Sequence, residues 1–399
     1  MIRRVAAVFA AGFSLTASLF AAPTFHKDIL PILQNRCQSC HRTGEVGPMP
    51  LFTYSQVRPW AKAIKTALLA GTMPPWSPDK RYGKFANDLS MPASERELLV
   101  SWIDSGAAEG TVAEAPAPKH FTDGWTISKP DVVFELPEVM TIPATGVINY
   151  QYIAVPTHFT EDKWVQMLEV RPTDRSVVHH AIVTVDSGYG GMGAHNYLAG
   201  YAPGMTPQVW QPGTARLIKA GSTLIFQMHY TTTGKPATDR TKIGLVFAKT
   251  PPTTPLVGAV LANGGLHIAA GDANARVDAE MTLNRDFVLW SILPHTHVRG
   301  KRWTYEATFP DGRKQTLLSV PNYNFDWQTD YIYKEPVKLP KGTVVHATAW
   351  YDNSAANKSN PDPTKDVWWG DQTFEEMMFT ALTMSVAPAP PPPTAGQKQ

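Results

Sequence analysis

Residues 223–230, Thr-Leu-Ile-Phe-Gln-Met-His-Tyr, decide the fold class of this chain. Every second side chain from Leu224 to Tyr230 is apolar, and successive side chains of a β-strand point to opposite faces of the sheet. The alternation therefore predicts a strand that packs one face against a core. Runs of the same kind, separated by clusters of Gly, Pro, Asp and Asn, occur at residues 132–136, 164–170, 177–185 and 242–247.

The composition agrees with a protein made of short strands and many turns. The 35 prolines and 28 glycines favour turns over long helices, and strands at this spacing are typical of β-sandwiches or jelly rolls. We expect a mainly β fold with two tandem jelly-roll β-sandwiches, because the strand-rich part is longer than one such unit needs. The predicted division is a signal peptide at residues 1–22, a small all-α domain at 23–108, a linker at 109–125, sandwiches at 126–255 and 256–386, and a disordered proline-rich tail at 387–399.

The charge balance excludes several classes of protein. Lys and Arg number 36 against 34 Asp and Glu, a net charge of +2 without a long basic run, so no nucleic-acid partner is expected. Charged residues at 18% and aromatic residues at 10% exclude an intrinsically disordered chain. Two cysteines are too few for a disulfide-rich scaffold.

The N-terminus has the three parts of a secretory signal peptide. Residues 1–4 are a short positive region, residues 5–20 are apolar, and Ala21 and Ala22 are small residues near which cleavage is expected. The alternative is an uncleaved membrane anchor, but the apolar run is shorter than the roughly 20 residues that span a bilayer. No later stretch of the sequence is long and apolar enough to span one. We therefore expect a periplasmic or secreted protein with no stable membrane span.

Both cysteines lie in one motif, Cys37-Gln38-Ser39-Cys40-His41. The spacing C-x-x-C-H is the attachment signature of c-type haem, in which two thiols add to the haem vinyl groups and the histidine binds the iron. A thioredoxin-like redox pair needs a βαβ setting and no adjacent histidine, and a zinc site needs further ligands nearby. We therefore predict one covalently bound haem c, attached through Cys37 and Cys40, with His41 as an axial ligand.

Helical patterns surround this motif. Apolar positions predict a helix over residues 26–36 that ends at the motif. Ser55 is the expected N-cap of a second helix, which Gly71 ends, and Ser94 with Glu97 forms the expected capping box of a third. Small helices around a covalent haem resemble a class I cytochrome c domain.

Met73 is the predicted second axial ligand of the haem iron. It precedes Pro74 and Pro75, and these prolines hold the loop extended so that the thioether can face the iron. Met49 is the alternative, although it follows His41 so closely in sequence that it is hard to bring to the opposite face of the haem. A third interpretation is that Met73 is an ordinary core methionine. A haem with His and Met ligands has a raised potential that suits electron transfer.

Five histidines and one methionine in the strand-rich part form a pattern that suits a metal. Adjacent strand residues such as His179 and His180 can bind one metal only at a bulge or a strand end. His295 and His297 lie on one face of a strand, one step apart, and imidazole suits copper, zinc and iron. The thioether of Met377 is a soft ligand that favours Cu(I). Taken singly, His229 and Met377 also fit buried positions without a metal.

Four motifs in order give this pattern a family resemblance: HH at 179–180, QMHY at 227–230, HTH at 295–297 and EEM at 375–377. In this order they resemble the copper type II ascorbate-dependent monooxygenases, which include the peptidylglycine- and dopamine β-hydroxylating enzymes. The resemblance covers residues 126–385. It implies two β-sandwich domains that each hold one copper, with a solvent-filled cleft between the coppers.

The resemblance also implies a role for each copper. His179, His180 and His229 would bind the copper that stores and passes electrons. His295, His297 and Met377 would bind the catalytic copper, at which O2 hydroxylates a C–H bond of a small organic substrate. The reaction needs two electrons, which family members usually take from ascorbate. We expect the haem to relay them here from a periplasmic donor or an ascorbate-like reductant.

Two other functions fit the same residues. One is a periplasmic electron-transfer or copper-binding protein without oxygenase activity. The other is a copper-dependent oxidase or reductase of small inorganic molecules. The peptide-hydroxylating branch has an arginine, an asparagine and a tyrosine at the positions of Leu293, Phe379 and Ala381. A peptide carboxylate would lose its charge partner here, which favours a smaller or more apolar substrate.

Overall fold

The computed structural model describes residues 22–122, 124–186 and 197–387. Strands take up 38% of the protein and helices 12%, so the fold is mainly β, as the sequence predicts. The predicted signal peptide and the predicted proline-rich tail lie, except for one residue each, outside the described residues. In the part of the chain that is described, no helix has both the length and the apolar character that crossing a bilayer requires.

The helices lie in the N-terminal part and enclose a core of their own. Trp102 is fully buried there, and its Nε1 donates to the carbonyl of Ala108 at 2.9 Å. The buried side chains of Phe25, Ile29 and Leu99 complete the centre of this core. The helices are a π-helical turn Phe25–Ile29, α1 Leu30–Arg36, α2 Tyr54–Val57, a 3-10 turn Arg58–Trp60, α3 Ala61–Ala70, α4 Ala93–Asp104 and a 3-10 turn Val112–Glu114.

Two predicted helix caps are wrong. Thr53, not Ser55, caps α2: its hydroxyl accepts from the backbone N–H of Gln56, whose side chain accepts in return from the N–H of Thr53. The N-cap of α4 is Pro92, without a side-chain cap, because the helix begins at Ala93 and Ser94 is already inside its first turn. Gly71 does end α3, in the left-handed conformation that glycine adopts without strain.

The rest of the described chain contains twenty-one strands, and the five runs predicted as strands are all strands. They are β1 Val132–Glu135, β2 Met140–Ile142, β3 Gln151–Pro156, β4 Lys163–Arg171, β5 Val178–Asp186, β6 Tyr197–Tyr201, β7 Gln208–Val209, β8 Thr214–Ile218, β9 Thr223–Tyr230, β10 Ala237–Asp239, β11 Lys242–Phe247, β12 Thr254–Ala262, β13 His267–Ile268, β14 Ala275–Thr282, β15 Phe287–His295, β16 Gly300–Thr308, β17 Lys314–Val320, β18 Tyr331–Leu339, β19 Val344–Tyr351, β20 Val367–Trp368 and β21 Phe379–Val386.

One large sheet and two smaller sheets contain most of these strands. The large sheet has nine strands, in the order β1-β11-β4-β8-β12-β21-β15-β18 with β7 beside β4. The smaller sheets have the orders β3-β9-β5-β6 and β14-β19-β16-β17. One apolar cluster centres on Phe226 and Leu168, and another centres on Trp303 and Tyr305. The parallel pairing of β8 with β12 joins the two groups of strands within the large sheet.

Among the contacts between the helical part and the strands, two involve the chain around the predicted haem segment. After Met73, the chain runs along the edge strand β18, where Ala86 N donates to Ile332 O and Lys334 N donates to Lys84 O, both at 2.8 Å. At the second place, Arg175 forms an ion pair with Glu45, four residues after His41, and both side chains are largely buried. The two contacts attach the predicted haem segment directly to the loops that lead into the predicted copper ligands.

Candidate metal centre

The first histidine set comes together at a bulge. The register between β5 and β9 shifts between Val178 and His180, which lets both His179 and His180 face the same neighbour, His229. One ligand nitrogen from each of the three residues lies within 4.8 Å of the others. This is the arrangement that adjacent strand histidines require in order to share one metal.

The outer ring nitrogens of His179 and His229 have oxygen partners, whereas His180 Nε2 is buried without a hydrogen-bond partner among the described residues. His179 Nε2 lies 3.3 Å from Asp326 Oδ1, and His229 Nε2 lies 3.2 Å from Thr373 Oγ1. The inner nitrogens are different: the Nδ1 atoms of His179 and His180 are 3.2 Å apart, and His229 Nδ1 is buried without a partner in the described structure. Oxygen partners on the outer nitrogens fix the ring orientation, as they do around metal-binding histidines.

The second set lies at the end of β15. His295 is its last residue, and its Nδ1 lies 2.7 Å from Gln328 Oε1. His297 Nδ1 lies 3.1 Å from the carbonyl of Glu375. Both partners are oxygens that can only accept, so both Nδ1 atoms carry the proton and both Nε2 atoms keep a lone pair. His297 Nε2 is buried and has no hydrogen-bond partner among the described residues.

Met377 lies beside this second set. β21 pairs antiparallel with β15, with Phe379 opposite His295, so the chain two residues earlier, at Met377, runs next to His297. Met378 is fully buried in the apolar core, whereas Met377 is partly exposed, as opposite-facing neighbours should be. The difference in burial therefore agrees with side chains of Met377 and Met378 that face opposite sides.

Glu376 connects the two segments that carry these ligands. Its buried carboxylate accepts from the backbone N–H groups of His297 at 2.8 Å, Arg299 at 2.7 Å and Met377 at 3.2 Å. Burial raises the pKa of Glu376 to about 7 against the opposing effect of these hydrogen bonds. A single side chain therefore positions the HTH segment against the EEM segment.

The implied solvent-filled cleft between the two sets is wrong for this structure. The rings of His180 and His295 are 5.9 Å apart, and both residues are buried. Phe325 stacks on His179 at 4.5 Å and lies 6.0 Å from His297, and Tyr150 lies 4.5 Å from His229. The two histidine sets are adjacent. The rings of Phe325 and Tyr150, together with the side chain of Gln328, fill the space that the expected cleft would occupy.

Burial also decides the protonation of four of these histidines. It lowers the pKa of His229 to about 3 and that of His295 to about 4, with neighbouring histidines acting in the same direction. The pKa values of His180 and His297 lie well below the usual value for the same reason. These rings are neutral at neutral pH, the form in which imidazole binds a metal.

The residues of both sets fit the copper ions that the resemblance implies. With metal–nitrogen bonds of about 2.0–2.1 Å, two imidazole nitrogens on one ion lie roughly 3 Å apart. The 3.2 Å between His179 and His180 Nδ1 agrees with that spacing. Buried, neutral imidazole nitrogens without partners would otherwise be a cost to the fold.

The haem segment has matching features. His41 Nδ1 donates to the carbonyl of Met49 at 3.3 Å, which leaves Nε2 as the ligand atom. The carbonyl of Met49 therefore lies on the side of the His41 ring that faces away from the predicted iron. This placement favours Met73 as the second axial ligand. Cys37 packs against the helical core, and Cys40 lines a cavity of about 380 Å³; neither is in a disulfide. The residues fit a covalently attached haem.

Three residues that replace polar positions of the peptide-hydroxylating branch lie together. Leu293 and Ala381 are buried against Tyr197, and Phe379 packs on the same cluster. Leu293 and Phe379 also line a small cavity of about 20 Å³ that reaches His180 and His295. The surface beside the second histidine set is therefore apolar.

Sequence reasoning missed the residues that orient the ligands. Asp326, Gln328 and Phe325 belong to a loop without a periodic pattern, and Tyr150 immediately precedes β3. No motif pointed to them. Thr373 and Glu376 lie within or next to the EEM motif, so their proximity to Met377 was a usable signal.

Comparisons with known proteins add little. No family model matches the chain, and no curated protein matches it. The solved structures that align with it include the major capsid protein P2 from Bacteriophage PM2, which is 8% identical with a TM-score of 0.25 over 64% of this chain and 99% of that one. Another is the structure of infectious bursal disease virus Gt strain, 9% identical with a TM-score of 0.19 over 67% of this chain and 75% of that one. At such TM-scores the alignments carry no argument.

Proposed function

We propose that this chain is an exported monooxygenase of the copper type II ascorbate-dependent family, with a haem c domain and two coppers, that hydroxylates a C–H bond of a small organic substrate. One observation carries the proposal. Histidines predicted from separate motifs converge, and three of their nitrogens, His180 Nε2, His229 Nδ1 and His297 Nε2, are buried without a hydrogen-bond partner among the described residues. The outer nitrogens of His179 and His229 are held by oxygens, as around metals.

The proposed fold has two tandem jelly-roll sandwiches. Each small sheet faces one half of the large sheet, with a separate apolar cluster between them. The first histidine set belongs to β5 and β9 of one half, and the second set to the end of β15 in the other. This division supports one copper for each half.

The chain's own residues prepare the site for oxygen chemistry. Bound copper would supply the redox steps and the activation of O2. His297 and Met377 are held by Glu376, and His295 is held by Gln328, so the second ligand set is positioned before any metal arrives. The apolar cluster of Leu293, Phe379 and Ala381 excludes water beside it and favours a small apolar substrate over one that carries a carboxylate.

Contacts between the helical part and the metal centre support a haem relay. A Cβ on Gly204 would lie 3.4 Å from the ring of Trp327 and 3.8 Å from Pro75, two residues after Met73. Trp327 is thus packed near the predicted haem-ligand loop. Its neighbours along the chain, Asp326 and Gln328, contact the histidine sets. This segment therefore joins that packing contact to both histidine sets, first along the chain from Trp327 and then through hydrogen bonds.

Metal content tests the proposal. We would purify the exported protein from a host that attaches haem c, load it with copper, dialyse it, and count iron and copper by mass spectrometry. Two coppers per iron are expected, with His229→Ala weakening one site and Met377→Ala the other. The next step is to look for O2 uptake coupled to a hydroxylated product. Copper binding without such uptake would favour the electron-transfer alternative, and absence of copper would reject both.

A further inference from the structure

Gln328 lies between the two histidine sets and contacts both. Its side chain is 6% exposed. Its Oε1 lies 2.7 Å from His295 Nδ1, and its Nε2 lies 3.4 Å from His180 Nδ1. Among the described residues, it is the side chain that hydrogen-bonds to a member of each set.

A third contact fixes which end of the amide faces which histidine. Gln328 Nε2 also lies 3.2 Å from the carbonyl of Phe325, which can only accept a hydrogen bond. The NH2 group must therefore face Phe325 and His180, and the oxygen must face His295. The orientation of the amide follows from the network of partners.

From this geometry we infer that Gln328 is a positioning residue shared by both proposed copper sites. The inference rests on the proposed function. The amide oxygen holds the proton on His295 Nδ1 and so reserves Nε2 for the metal. The amide N–H group donates to His180 Nδ1 and holds that ring beside His179 in the metal-free protein; a metal at this nitrogen would use the same lone pair and replace the hydrogen bond. The two roles are chemically distinct, since one needs an acceptor and the other a donor.

The distinct roles allow two variants to separate them. Gln328→Met keeps a similar length and removes both roles. Gln328→Glu keeps an acceptor for His295 and removes the donor that faces His180. Gln208→Met is the matched control, because Gln208 is also 6% exposed and donates to Asp330, not to a histidine.

The experiment is a copper titration of the haem-containing full-length protein against a chelator, with the Cu(II) EPR spectrum recorded at each step. Loss of a partner around a metal ligand typically weakens binding by about 10- to 100-fold. Gln328→Met is expected to weaken the site that contains His295 by about tenfold or more and to tighten the site that contains His180, where the hydrogen bond that competes with the metal is lost. Gln328→Glu is expected to tighten only the site that contains His180 and to leave the site that contains His295 as in the wild type. Gln208→Met is expected to leave both signals as in the wild type.

Two results would overturn the inference. One is Gln328→Met with affinities and spectra equal to those of the wild type. The other is an equal effect of Gln328→Met and Gln208→Met, which would mean a general packing defect. If Gln328→Met does not fold, an unchanged His180-site signal in Gln328→Glu would also count against the shared role. A wild-type protein that takes up no copper would instead reject the proposed function itself, and the inference with it.

Discussion

His180 lies directly opposite His229 across the β5–β9 pairing, and their rings are 4.9 Å apart. The register shift just before His180 lets His179 join them. A strand of regular pleat would send His179 and His180 to opposite faces and leave only two nitrogens for a metal. The bulge therefore turns a two-histidine contact into a three-nitrogen set.

The first prediction concerns Glu376. Replacing it with Gln removes the charge that accepts three backbone N–H groups and leaves a single acceptor oxygen. We expect a loss of about 1–3 kcal/mol of stability and loss of the copper proposed at His295 and His297, with the other proposed copper retained. Thermal unfolding and metal counting would measure both effects. Glu375→Gln is the control, and equal losses in the two variants would show that Glu376 has no special role.

Helix capping gives a second prediction with a built-in control. Thr53→Ala removes the cap of α2 and should cost about 1 kcal/mol of stability. Ser55→Ala changes a residue inside the same helix and should cost much less. Denaturant unfolding of both variants would compare them. The assignment of the cap to Thr53 would be wrong if Ser55→Ala were the more damaging change.

A third prediction tests the haem relay through Trp327. Trp327→Leu removes the ring packed near Pro75 and should slow the reoxidation of ferrous haem by Cu(II) several-fold, with haem and copper contents unchanged. Rapid mixing of the reduced protein, followed in the haem absorption bands, would measure it. Trp368→Leu, at a tryptophan 59% exposed and stacked on His267, is the control. Equal rates in wild type and Trp327→Leu would move the electron path elsewhere.

A fourth prediction concerns how the stability of the protein depends on pH through Asp330. Burial raises its pKa to about 6, despite the N–H that Gln208 donates to it at 3.4 Å. The unfolded chain releases this proton near the usual value of 3.8, so the folded state is favoured at low pH and loses stability as the pH rises to about 6. The loss is on the order of 3 kcal/mol.

Asp330→Asn should remove that loss. Denaturant unfolding at pH 4 and at pH 7 should show a smaller drop for the variant than for the wild type. Asp311→Asn, at a side chain 68% exposed, should follow the wild type at both values. Identical drops in all three proteins would contradict the assignment to Asp330.

The strands and the histidines that come together could be predicted from the sequence, for physical reasons. Alternating side chains mark a half-buried strand locally, and β9 and β11 have the predicted ends. The histidine motifs could likewise be recognised because the residues of each motif are neighbours along the chain. The helix caps failed because two hydroxyls near one helix start compete, and only the backbone geometry decides between Thr53 and Ser55.

The distance in space between the two histidine sets, and the residues that support the ligands, could not be predicted from the sequence in this way. Gln328 reaches His180 and His295 only because distant parts of the chain fold together. Such contacts have no period and no motif. The resemblance suggested a cleft, whereas Phe325 and Tyr150, which close it, follow no pattern that the resemblance includes.

The parallel pairing of β8 with β12 limits how the molecule can move. Thr254 and Leu256 of β12 pair with Thr214 and Arg216 of β8, so the large sheet runs without a break through both halves. A hinge that opened the halves would have to break this ladder. Small molecules and ions that reach the buried histidines must then enter through local movements, such as displacement of the loop around Phe325. The distance between the two ligand sets is fixed by the sheet.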